Sequence, residues 1–173
     1  SLADGCIHIN NAQLLSANVH LYKHRENDDL NIKYLIDAFT DDDTTGNTPD
    51  IRVETFIMRR GRARYDKYYE PEEDGKFSKN HVELSDIAMT VRIGLLSKDS
   101  TDITLKHLSL REKCGLHLRD LQFSMSSNGK GGTLEGMCLS TDNSELTIPY
   151  VRYAIAARDS TGKANPCGIT AEA

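Results

Sequence analysis

Several signatures are missing from this chain, and each absence removes a class of function. No G-x-S-x-G, H-E-x-x-H, dinucleotide fingerprint or kinase set occurs, so no local motif points to catalysis. Apolar runs stay short, as in Gly94-Leu95-Leu96 and Ile155-Ala156-Ala157, against the roughly 20 residues a membrane-spanning helix needs. No charged start leads into an apolar stretch, so no secretory signal is expected. No Asn-x-Ser/Thr sequon follows any of the ten asparagines. Cys6, Cys114, Cys138 and Cys167 form no C-x-x-C pair, and a chain this long folds without disulfides. Free thiols in a reducing, cytoplasmic compartment are therefore expected. Net basic charge is missing too. The balance is −5 with a pI near 5.7, which argues against a surface generally built for nucleic acid or anionic membrane.

What is present is alternation. With 173 residues and 38% hydrophobic content, the chain suits one globular domain, expected over residues 1–157. Residues 158–173 read as a flexible polar tail. Apolar side chains recur at every second position in residues 115–126, 133–140 and 146–157. The turn signals Asn128-Gly129-Lys130-Gly131-Gly132 and Thr141-Asp142-Asn143-Ser144 separate these runs, which predicts an antiparallel meander. The phase changes near Arg119-Asp120 and at Pro149-Tyr150, where bulges or bends are expected. Upstream, residues 14–22, 51–58, 82–96 and 103–110 also read as strands, with a further slip near Ser85-Asp86.

One helix is predicted near 29–40, capped by Asp28 or Asp29 and carrying Leu30, Ile32, Leu35, Ile36 and Phe39. The expected fold is therefore α+β and mainly antiparallel: a single β-rich domain, as a sandwich or partly closed barrel, with that helix and a C-terminal meander.

Most motif-like spacings have bland explanations. Asp41, Asp43, Thr45 and Gly46 imitate a calcium loop, but its twelfth position, which needs a bidentate glutamate, is Arg52. His20 and His24 are spaced as H-x-x-x-H, with Cys6 and His8 upstream. On a strand, four residues span about 13 Å, too far for one ion. Cys114 and His117 form a lone C-x-x-H. The glycine-rich loop at 127–133 lacks the phosphate-loop spacing and precedes a strand, as a hairpin turn would. No metal or cofactor is expected.

The strongest local signal is a basic cluster, Arg59, Arg60, Arg62 and Arg64 with Lys67, interleaved with Tyr65, Tyr68 and Tyr69. Acidic residues lie on either side, at Asp41, Asp42 and Asp43 and at Glu70, Glu72, Glu73 and Asp74. Such segregated charge suits head-to-tail contacts between identical subunits or an acidic or basic protein partner. The expectation is a non-enzymatic, self-associating structural protein, with a viral matrix or capsid-associated protein as its concrete form. Arginines that clamp phosphates beside rings that stack on bases give the alternative, a single-stranded nucleic-acid binder. A barrel-type small-ligand binder or enzyme is the second alternative. Assembly through charge predicts a salt-sensitive mass well above 19.3 kDa by light scattering. A monomer at every salt concentration would contradict it.

Overall fold

A computed structural model describes residues 6–34, 50–72, 75–154 and 169–172. These residues form one open sheet of nine strands: β1 (Cys6–Leu15), β2 (Asn18–Lys23), β3 (Asp50–Lys67), β4 (His81–Leu96), β5 (Ser100–Glu112), β6 (His117–Asn128), β7 (Gly131–Thr141), β8 (Glu145–Ala154) and β9 (Ile169–Glu172). Their order is β1-β3-β4-β5-β6-β7-β8-β9, and β2 takes over from β1 along the same side of β3. β1 and β2 run parallel to β3, and every other pair is antiparallel.

Short hairpins build the meander, and each adds its strand on the outside. The amide of Lys130 donates to Asn128 Oδ1 at 2.9 Å, and the amide of Ser144 donates to Thr141 Oγ1 at 3.0 Å. Both turns stand where the sequence places them. No described strand joins the two ends of this order, so β1 and β9 are at opposite edges. The expected sandwich or partly closed barrel is thus replaced by a single open layer among the described residues.

The predicted helix near 29–40 is also corrected. Within its described part only Lys33 and Tyr34 are helical, and residues 35–40 lie outside the described residues. Asn31 anchors this segment to β2. Its amide donates to the Tyr22 carbonyl, its side-chain nitrogen donates to the His20 carbonyl at 2.9 Å, and its Oδ1 accepts from the Tyr22 amide at 3.0 Å. These bonds dock the segment along the edge of β2, where Asn31 and Ile32 form a turn in place of a first helical turn.

Two of the three expected phase changes appear as register shifts. One is the β4 bulge, where Asp86 has φ +51, and the other lies between Leu118 and Asp120 of β6. Each changes the pairing by one residue and so resets which face the alternation presents. At Pro149 the β7–β8 register runs unbroken, and the positive φ in that region, +59, belongs to Gly136 on the opposite strand. Ile169–Glu172, from the segment expected as a tail, pairs with β8.

Close approaches between strands make some glycines sensitive. A Cβ on Gly132 would lie 2.5 Å from the Ser126 carbonyl oxygen, whereas one on Gly129 meets nothing within 4 Å. Gly132→Ala should cost about 1–3 kcal/mol by denaturant unfolding, and Gly129→Ala less than about 0.5 kcal/mol. Equal costs would contradict the register.

Candidate functional site

Directly opposed residues in neighbouring strands share a face, so the register sorts the side chains into two surfaces. One is apolar across the sheet. Ile9, Val53, Ile93, Ile103, Met125, Leu134 and Val151 form a single cross-strand row. Beside it run Ala12, Phe56, Val91, Leu105 and Phe123, then Leu14, Met58, Met89 and Leu108, with Leu121, Leu139 and Leu146 continuing on β6 to β8. These rows contain no titratable side chain. The opposite surface carries Arg92, Thr104, Ser124, Glu135 and Tyr150 in one row, and Asp102, Ser126, Thr133 and Arg152 in the next.

No described element covers the apolar surface. Val53 and Leu105, each 7% exposed, are the only buried hydrophobic residues among those described, and Ile9, Leu14 and Val19 are exposed. All four methionines of the chain, Met58, Met89, Met125 and Met137, belong to this surface. Methionine is unbranched and polarizable, and fits contacts of variable shape better than a branched side chain does.

The polar surface has one tightly organised corner, where β2, β3 and β4 meet. Asp66, 1% exposed, accepts hydrogen bonds from Arg64 Nε at 2.6 Å, His20 Nε2 at 2.7 Å and His81 Nδ1 at 3.1 Å. Burial alone would raise its pKa, but the hydrogen bonds from Arg64, His81 and His20 outweigh burial and hold the carboxyl at about 2. His81 is buried as well, and its Nε2 faces the Glu70 carbonyl at 2.9 Å. An imidazole with acceptors at both nitrogens donates from both only when protonated. Burial opposes that charge, but the Asp66 carboxylate and the Glu70 carbonyl prevail, and the His81 pKa is raised. Around this group, His20, Tyr22, His24 and Tyr68 form a ring cluster with centroids 5.0–6.4 Å apart.

The arginine–tyrosine stretch is divided by this geometry. Arg62 and Arg64 lie on the polar surface, while Tyr65 faces Leu21 and Val82 on the other. Arg59 and Arg60 are exposed where β3 bulges, Tyr68 joins the ring cluster, and Lys67 and Tyr69 are half-buried. Of the acidic candidates, Glu70 contributes its carbonyl to His81 and Glu72 accepts from Lys113. Asp41, Asp42, Asp43, Glu73 and Asp74 lie outside the described residues.

Sequence reasoning passed over Asp66 and His81. Except for Arg64, their partners are 11 or more residues away, so no local spacing marks them. Of the histidines in motif-like spacings, His20 bonds Asp66, His24 stacks on Tyr68, and His117 bonds Asp142 at 2.9 Å. Comparison with known protein families, with curated proteins and with solved structures gave no match.

The corner should leave a pH signature. Lowering the Asp66 pKa from 3.8 to about 2 stabilises the fold above pH 3.8, an effect lost as pH falls through 2. Raising the His81 pKa above 6.5 stabilises it below pH 6.5, an effect lost as pH rises through the folded value. The corner therefore contributes most between pH 3.8 and 6.5. Asp66→Asn should cost about 3 kcal/mol in that window, because it leaves the buried His81 and the partly exposed Arg64 and His20 without their charge partner. A pH-independent loss in denaturant titrations would contradict the assignment.

Proposed function

We propose that this protein is a non-enzymatic binding module whose working surface is the apolar face of the sheet, and that it carries the hydrocarbon chains of an amphiphile. The observation that supports this most directly is the row from Ile9 to Val151, seven apolar side chains on seven adjacent strands with no charge among them. Seven strands side by side are about 29 Å across, enough for a long acyl chain laid along the row. Leaving such a surface in water is unfavourable in proportion to its area. The four methionines suit chains of varying length and saturation, and the polar surface behind keeps the module hydrated.

A second copy of the chain is the other cover that a particular observation favours. Ile9, Leu14 and Val19 are exposed along β1 and β2, at one edge of the sheet, and face-to-face packing would bury them. This is the form in which the expectation of self-association continues. In it, apolar burial does the work that the sequence assigned to segregated charge.

The two readings separate in one experiment. A fluorescent long-chain fatty acid should bind saturably, and Ile103→Glu should weaken it at least tenfold while the far-ultraviolet circular dichroism of the sheet is retained. A dimer with no affinity for the fatty acid, converted to monomer by Ile103→Glu, would replace amphiphile binding with self-association.

A further inference from the structure

Only three described residues other than glycine have positive φ: Ser16 at +56°, Arg60 at +53° and Asp86 at +51°. A side chain in this conformation is crowded against its own backbone, so each position is strained. The three are far apart in sequence, yet they line one cavity of about 320 Å³ together with Asn18 and Arg62. It lies where three irregularities coincide: the break between β1 and β2, the β3 bulge between Met58 and Gly61, and the β4 bulge between Ser85 and Ala88. Backbone bonds hold the crease, from the Ser16 amide to the Arg59 carbonyl and from the Arg62 amide to the Ala17 carbonyl, both 2.8 Å. Strain concentrated in this way is characteristic of sites whose geometry serves something other than folding.

The charges in the crease are out of balance. Arg64 is bound to Asp66, and Asp86 lies 3.8 Å from Arg111. Arg60 and Arg62 have no ion pair or side-chain hydrogen bond with any described residue. Arg62 also lines an adjoining groove of about 460 Å³ with His20 and Glu83. Two guanidinium groups without side-chain partners among the described residues therefore border a cavity whose other walls offer the Ser16 hydroxyl, the Asn18 amide and the Asp86 carboxylate, the last of these beside Arg111.

We propose that this crease binds a phosphate-type oxyanion, with Arg60 and Arg62 as its principal ligands. Guanidinium presents paired donors that match the oxygens of phosphate, and the hydroxyl and amide add neutral donors. A single phosphate group suits the site better than a nucleic-acid strand does. The tyrosines that would stack on bases are elsewhere, with Tyr65 on the apolar surface and Tyr68 within the ring cluster. The crease is formed by polar residues and does not depend on whether an amphiphile occupies the apolar face.

Calorimetric titration of the protein with inorganic pyrophosphate at low salt tests the proposal. Saturable binding is expected, weakened at least tenfold in the double variant Arg60→Gln/Arg62→Gln with an unchanged circular dichroism spectrum. Arg60→Gly should weaken binding and also raise the thermal midpoint by about 2–4 °C, since glycine relieves the strain at this position. Sedimentation with phosphatidylcholine vesicles containing phosphatidic acid separates the sources. Binding that requires Arg60 and Arg62 assigns the site to a lipid headgroup, and pyrophosphate binding alone assigns it to a soluble phosphate compound. No saturable pyrophosphate binding, equal binding by the double variant, or binding of single-stranded RNA alone would overturn the proposal.

Discussion

Most of the apolar side chains of this sheet are on one surface, and no described element lies over them. That constraint governs the rest of the molecule. In a two-layer domain the apolar faces of two elements bury each other. Among the described residues each strand shields its apolar side chains with those of its neighbours, and just two hydrophobic residues become buried. The bulges have their purpose in the same constraint. Each shifts the alternation by one position, and without them the rows through Val53, Phe56 and Met58 would divide between the two surfaces.

With so little apolar burial, a larger share of local order falls to polar chemistry. Among the described residues the one fully buried side chain of appreciable size is Asp66, held by Arg64, His20 and His81. This network fastens β2 to β3 and β4 at the corner where β1 ends. A buried carboxylate costs much in desolvation and is tolerated only when well partnered, and this one accepts from three side chains. The result is an ordered corner on the polar side, beside the strained crease and behind the apolar rows.

Most of the strands were legible because period-2 alternation is a local property, and so were the slips at Asp86 and Asp120. Most of β1 and all of β9 were not, and the run expected over 14–22 is divided between the end of β1 and β2. The helix was not. The Ile32, Ile36 and Phe39 spacing resembles a helical face, but Asn31 docks on β2 through backbone and side-chain bonds that no spacing reveals. Closure was equally hidden, since alternation states that one face of a strand is apolar without stating what will cover it. The arginine cluster was visible as composition. Its division among Asp66, the crease and the solvent depends on how β3 pairs with β1 and β2, as in the bond from the Arg62 amide to the distant Ala17 carbonyl.

Native mass spectrometry of the protein purified without detergent tests the central claim most directly. If the apolar face carries hydrocarbon chains, species heavier than the 19.3 kDa chain by one or more long-chain amphiphiles should appear and be lost on extraction with organic solvent. A bare monomer that keeps its sheet and takes up no added amphiphile would contradict the account.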